Sequence, residues 1–236
     1  MKELRVLEDL LGWGACPICR RPAAGEVCSS CLELYAHPAW SRCPRCHGPS
    51  PSPATPGGLC DDCAGSSFPF ARRFSLAPYE EPWVSLLRRL KGGERSLAGP
   101  LGRTLARAFP WEELGPLDAA TWVPPDPRRQ REKGYHGAEV LARALAKGRL
   151  PALPLLEKAL STPPQHDLPR RERLQARLHF RPLPGAPFPR GRILLVDDVW
   201  TTGTTLSQAA AALLEGGARA VVGVTLCQVA EGIIKG

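Results

Sequence analysis

The spacing of apolar positions changes character along the chain. From Ala71 onward apolar residues alternate with polar ones (Phe74, Leu76), and the pattern then turns helical from Trp83 to Leu90. A second helix is predicted over Leu101 to Phe109 and a strand over Ala119 to Val123. Ile193 to Val196 is a short, branched, uninterrupted apolar run, which suits a strand buried on both faces of a parallel sheet. Leu206 to Glu215 is helical in pattern and is closed by Gly216 and Gly217. Ala220 to Leu226 completes the series as an apolar strand. Alternation of this kind predicts an α/β fold, a parallel sheet flanked by helices. No stretch approaches the roughly 20 apolar residues of a membrane span, so no membrane insertion is expected.

Between Pro49 and Phe70 the chain is rich in Pro, Gly and Ser, which puts a domain boundary near residue 70. A small module over 1–70 then precedes a domain over 71–236 that is large enough to bury a core of its own. Cysteine organises the module. Eight of the nine cysteines fall in four Cys-x-x-Cys pairs: Cys16 and Cys19, Cys28 and Cys31, Cys43 and Cys46, Cys60 and Cys63. Each pair can turn two thiolates toward one tetrahedral ion, and the 8, 11 and 13 residues between pairs let neighbouring pairs share one. One or two structural zinc ions are expected. The simplest arrangement sets one under the first two pairs and one under the last two; a cross-braced arrangement is the alternative. Disulfides would need an oxidising compartment. Met1 to Ala15 carries Glu3, Glu8 and Asp9 among its apolar residues and lacks the apolar core of a signal peptide, so a cytoplasmic location is expected. His47 reads as solvated and Cys227 as a small buried hydrophobe.

The stretch from Ile193 to Thr205 carries the chemistry. Two adjacent acids, Asp197 and Asp198, follow the apolar run, and Thr201, Thr202, Gly203, Thr204 and Thr205 lead into the helix. A loop before a helix N-terminus gathers backbone N–H groups, the positive end of the helix dipole and four hydroxyls, and Gly203 lets the backbone approach an anion closely, so a phosphate site is expected there. Two carboxylates beside a phosphate call for a sugar cis-diol as partner, with magnesium nearby. A P-loop NTPase is unsupported, because no Gly-x-x-x-x-Gly-Lys-Ser/Thr occurs.

These thirteen residues resemble the signature of the type I phosphoribosyltransferases, which bind 5-phosphoribosyl 1-diphosphate (PRPP) with magnesium. The resemblance assigns Asp197 and Asp198 to the ribose hydroxyls, as binding and catalytic residues, and Thr201 to Thr205 to the 5-phosphate, with Trp200 at a variable position. Joined to the cysteine-rich module, it extends over nearly the whole chain and resembles the ComF family, which includes competence proteins linked to DNA uptake. Also matching are Val123-Pro124-Pro125, Lys133-Gly134-Tyr135 ahead of a helix from about Ala138 to Lys147, and the spaced set Gln165, Leu168 and Arg171. Where relatives commonly show Arg-Gly-Phe-Asn-Gln, this chain has Lys133-Gly134-Tyr135-His136-Gly137. The chain contains no Asn and one Met, a composition expected of a thermophile. By resemblance Lys91 is a further residue of the PRPP site; read from position alone it is a solvated helix-end lysine.

Charge separates the two parts. Through residue 70 six Lys/Arg face seven Asp/Glu, and thereafter 25 face 16. The basic run from Arg128 to Lys133 follows a strand end, where a ligand crevice opens in a parallel sheet, so Arg128, Arg131 and Lys133 are expected to meet the diphosphate. Arg170, Arg171, Arg173 and Arg177 are either a solvated surface or a contact for the diphosphate or for the backbone of single-stranded DNA. Two functions are thus open: transfer of 5-phosphoribose to an acceptor with release of diphosphate, and noncatalytic binding of PRPP or single-stranded DNA beside other competence proteins.

Overall fold

A computed structural model describes residues 14–36, 43–46, 58–65, 68–125, 136–158 and 180–229. His47, Arg128, Arg131, Lys133, Gln165, Leu168, Arg170, Arg171, Arg173 and Arg177 lie outside the described residues.

Four strands form one parallel sheet: β3 (Arg72–Pro78), β4 (Ala119–Trp122), β7 (Arg192–Trp200) and β8 (Ala220–Gln228), in the order β3-β8-β7-β4. Alternate residues of the apolar run on β7 serve two different cores, which is why the run is continuous. Leu194 and Val196 join Phe74, Leu76, Val222 and Val224 under α3 (Trp83–Lys91), α4 (Ala98–Ala108) and α6 (Gly137–Ala146). Ile193 and Leu195 face α7 (Thr204–Glu215), together with Ala119 and Val221. The sheet is thus covered by helices on both faces, as the alternation of elements predicts. A two-stranded antiparallel sheet, β5 (Leu156–Lys158) with β6 (Phe180–Pro182), packs beside α7.

β7 is longer than the apolar run. It runs on through Asp197 and Asp198 to Trp200, because β8 continues alongside it and pairs Asp197 with Thr225 and Trp200 with Gln228. On its other side β4 stops, with Trp122 opposite Val196. The acids therefore lie within a strand, one edge of which has lost its neighbour. The helix also starts earlier than predicted, at Thr204 rather than Leu206, which places Thr204 and Thr205 in its first turn.

The cysteine segments dock on this domain. α1 (Ser29–Tyr35) follows β1 (Gly14–Ala15) and β2 (Pro22–Ala23), and Cys16, Val27 and Cys31 join the core under α3 and α4. The short α2 (Asp61–Gly65) carries Cys63. Val27 N donates to Thr104 Oγ1 at 2.8 Å, and Trp83 Nε1 donates to the Tyr35 carbonyl at 2.8 Å. Arg107 pairs with Glu26 and also donates to the Val27 carbonyl, while Arg103 donates to the Gly25 carbonyl.

Candidate functional site

Side-chain alternation inverts just past Val196. Val199 and Cys227 pack with the core under α3 and α6, whereas Trp200 packs on the α7 side. The inversion falls at Asp197 and Asp198, and both carboxylates come within Coulombic reach of Lys91 at the end of α3. Lys91 Nζ lies 2.9 Å from Asp198 Oδ2, and the Asp198 side chain is 18% exposed. Asp197 Oδ1 accepts from Asp198 N at 2.8 Å. Burial, and then the negative charge of Asp198, push the Asp197 carboxyl up to about 8. Burial opposes the Lys91 ammonium, but Asp198 and Asp197 outweigh it and raise its pKa. Lys91 is thus paired with Asp198 while half of its side chain stays exposed at the end of α3.

Two residues beside Asp198 were not singled out as site residues from sequence. A Cβ on Gly137 would stand 3.9 Å from Asp198 Oδ2 and 3.8 Å from Leu90 Cδ2, so the start of α6 packs directly beside that carboxylate. His136 caps the same helix, its Nδ1 accepting from Glu139 N at 3.3 Å, and burial holds its imidazole below the usual pKa against the pull of Asp198 and Glu139. The signal was the segment Lys133 to Gly137, which stands where relatives carry a different pentapeptide.

Past Trp200, Thr201 to Gly203 form the loop before α7. The four threonines are exposed and Gly203 is buried. Gly203 has φ +77°, in the left-handed region that disfavours a Cβ. A Cβ there would also overlap the Trp200 ring, reaching 3.0 Å from Cε2. Glycine is thus demanded from beneath by a tryptophan, in addition to any approach by an anion from outside. Thr202 Oγ1 lies 3.0 Å from Thr204 Oγ1 and accepts from Thr204 N at 3.4 Å, which draws hydroxyls around the helix start. Trp200 itself is clamped: Arg73 Cζ lies 3.8 Å over its ring, and Phe68 and Phe70 meet it edge-on at 5.5 and 5.8 Å.

The cysteines form two sets, Cys16, Cys19, Cys28, Cys31 and Cys43, Cys46, Cys60, Cys63, with the Sγ atoms of each set within 4.8 Å of one another. The sequential pairing is therefore the arrangement adopted, and the cross-braced one is not. Cys19 and Cys28 sulfurs are 3.7 Å apart and those of Cys46 and Cys60 3.5 Å. Four sulfurs at ~2.3 Å from a zinc ion stand about 3.8 Å from one another, whereas a disulfide requires about 2.05 Å, so the sets fit zinc and not disulfides. Backbone donors favour thiolates: Cys28 N points to Cys16 Sγ at 3.5 Å and Cys60 N to Cys43 Sγ at 3.4 Å. Against the opposing effect of burial, these N–H groups bring Cys16 and Cys43 down to about 7. Burial and neighbouring sulfurs push Cys31 and Cys63 up and Cys60 to about 12. Cys16 and Cys43 thus ionise readily, whereas Cys31, Cys60 and Cys63 need a cation beside them.

A groove of about 990 Å³ runs between α4 and α6, lined by Arg103, Arg107, Arg143, Lys147 and Arg149 with Glu26. Arg149 lies 4.9 Å over Trp111, in α5 (Trp111–Leu114), and Arg143 the same distance over Trp122. Among the described residues, no helix is long and apolar enough to cross a membrane.

The chain is 31% identical over 230 residues to the DNA utilization protein YhgH of Salmonella typhi, covering 91% of this chain and 97% of that protein. It is 30% identical over 232 residues to the DNA utilization protein YhgH of Escherichia coli strain K12, with the same coverages. Among solved structures, TT1426 from Thermus thermophilus is similar at 19% identity and a TM-score of 0.33, over 58% of this chain and 85% of that one. No family model matches the chain.

Proposed function

The chain belongs to the family of the DNA utilization proteins YhgH, and on that footing we propose that it is a phosphoribosyltransferase-like protein of the ComF type, which binds PRPP and serves DNA uptake. The observation that carries this reading is the sharing of one strand end. Two adjacent carboxylates and a threonine-rich helix N-terminus lie within a few residues of each other, where β4 has stopped and β7 continues.

In this reading the loop from Thr201 to Thr205 takes the 5-phosphate, through the N–H groups and hydroxyls of the first turn of α7. Asp197 and Asp198 take the ribose diol. Asp197 keeps its proton near neutral pH while Asp198 is held by Lys91, so the pair offers a donor as well as acceptors to two hydroxyls. When diphosphate leaves C1 the sugar becomes cation-like, and the Asp198 carboxylate fixed beside it stabilises that state more than the ground state. Their oxygen donors suit magnesium, whose chemistry when bound is to neutralise the departing diphosphate. Lys91, with Arg128, Arg131 and Lys133 from the sequence, supplies positive charge toward the same group. Each cysteine set holds one structural zinc, in the reducing conditions of the cytoplasm.

The groove between α4 and α6 favours a second partner for the same protein, single-stranded DNA, whose phosphates match Lys147, Arg149 and Arg143, the last also paired with Glu139. Release of diphosphate on addition of an acceptor separates a transferase from a protein that binds PRPP without turnover.

Calorimetry with PRPP and magnesium tests the site. Replacing Asp197 and Asp198 together by Ala is expected to abolish binding while leaving the fold intact, because neither side chain is among the apolar residues of the two cores. Binding of PRPP by the double variant at the strength of the parent would refute the phosphoribosyl reading.

A further inference from the structure

Arg73 sits on β3, separated by β8 from the strand that carries the acids, and its residue is 4% exposed. A buried guanidinium must find partners, and those of Arg73 come from three regions of the chain. Nη1 donates to Ser75 Oγ at 2.9 Å and to Gln228 Oε1 at 3.1 Å. Its plane covers the ring of Trp200 at 3.8 Å. Burial opposes its charge, and the nearby sulfurs of Cys46, Cys63 and Cys60 favour it. Its own backbone N–H donates at 2.8 Å to the carbonyl of Arg45, inside the turn of the Cys43 to Cys46 pair. Among the described residues, none of the ion pairs includes Arg73.

Four thiolates around one divalent zinc leave a double negative charge, which when buried calls for a cation as strongly as Arg73 calls for an anion. The second cysteine set and Arg73 thus complete each other. The other face of the relation is Trp200, the ring that occupies the space beneath Gly203 and so determines where the loop and the first turn of α7 can lie. Given the reading of Thr201 to Thr205 as a phosphate loop, on which this step rests, we propose that Arg73 is a positioning residue for that loop, and that metal in the Cys43, Cys46, Cys60, Cys63 set thereby raises the affinity of the distant loop for phosphate. Without the metal the turn from Cys43 to Cys46 loses its closure, the Arg45 carbonyl no longer anchors the backbone of Arg73, and Trp200 loses the contact that fixes its face.

The test uses the full chain loaded with zinc, titrated with PRPP in magnesium. Arg73→Gln is expected to weaken binding by about tenfold, within the range spanned by exposed and desolvated cation–π contacts, and Arg73→Lys to recover part of that loss. In a Trp200→Leu background, Arg73→Gln should change affinity less than about twofold, a dependence that a general loss of stability does not produce. The unsubstituted protein gives an independent reading: because coupling between sites is reciprocal in affinity, saturating PRPP should tighten one of its two zinc ions, and not the other, in equilibrium competition with a chelator. That measurement decides the matter if Arg73→Gln does not fold. If Arg73→Gln binds PRPP as tightly as the parent, while loss of Asp197 and Asp198 abolishes binding, the coupling is wrong and the phosphoribosyl site stands. If both zinc affinities are indifferent to bound PRPP, the coupling is equally wrong. If the zinc-loaded parent binds no PRPP, both ideas fall.

Discussion

Replacing Gly203 by Ala is the sharpest probe of the loop. The position has φ +77°, where a residue with a Cβ costs about 1–2 kcal/mol. The new methyl would also overlap the Trp200 ring, and overpacking a filled site typically costs ~1–3 kcal/mol. Together the strain is about 2–5 kcal/mol. The ring has little room to retreat, with Arg73 at 3.8 Å over one face and Phe68 and Phe70 against it at 5.5 and 5.8 Å. The threonines around Gly203 are exposed, so the loop is the part that yields. Moving it carries the first-turn N–H groups away from the phosphate position. If only about 1.4 kcal/mol of the strain appears in binding, the Kd for PRPP rises tenfold, and the full range corresponds to far more. Relaxation of the loop spares the core, and at ~2–4 °C per kcal/mol for a domain of this size the melting temperature should fall by no more than about 5 °C. Calorimetry and thermal melting on the same preparation read both quantities. A Gly203→Ala protein with the parent's Kd and melting temperature would show that neither the left-handed backbone nor the ring beneath it constrains the loop.

Metal analysis should return two zinc ions per chain, and Cys60→Ser should lose one of them while keeping the other; a metal-free, folded protein contradicts the assignment of the tetrads. The proton on Asp197 predicts a pH dependence whose sign follows from its pKa, raised to about 8 in the folded chain against about 3.9 when unfolded. The folded state holds that proton through the window between the two values, so stability should decline as pH rises from about 4 to about 8, and Asp197→Asn should flatten the decline in urea unfolding. An undiminished slope in the Asn variant would place the titrating group elsewhere. Charge reversal at Arg143, Lys147 and Arg149, leaving Arg103 and Arg107 to dock the cysteine segment, should weaken binding of single-stranded DNA and reduce its salt dependence by ~0.7 per lost phosphate contact; a triple variant that binds as before makes the groove a solvated surface.

The cysteine pairs were legible because a tetrahedral thiolate site is written in local spacing, though spacing alone left the pairing of pairs open. The sheet and the helices on its faces were legible in the alternation of apolar runs. Strand ends were not. The apolar run stops at Val196, and nothing near it in sequence tells that β8, some 30 residues later, keeps pairing as far as Trp200. The helix start was misplaced for a related reason, since Thr204 and Thr205 read as loop until Gly203 is seen to cap the helix. Lys91 entered only by family resemblance, and its contact with Asp198 joins segments more than 100 residues apart. Trp200 looked like a variable filler, yet its surroundings are Arg73, Phe68 and Phe70, a cluster brought together by folding alone.

The sequential pairing of the cysteines bears on the order of events during synthesis. Each set of four sulfurs lies within one unbroken stretch, 16–31 and 43–63, so each can close around its ion as soon as that stretch has left the ribosome. The surfaces that receive the first set, Trp83, Thr104 and Arg107, follow more than 50 residues after Cys31, several seconds later at ~5–20 residues per second. During that interval the finished knuckle has nothing to pack against and exposes the apolar side that carries Val27. Crossed pairs would have held the first closure back from Cys31 to the arrival of Cys46. Sequential ones let the nascent chain take up metal in two separate steps, and hand the helices that emerge afterwards a surface already in shape.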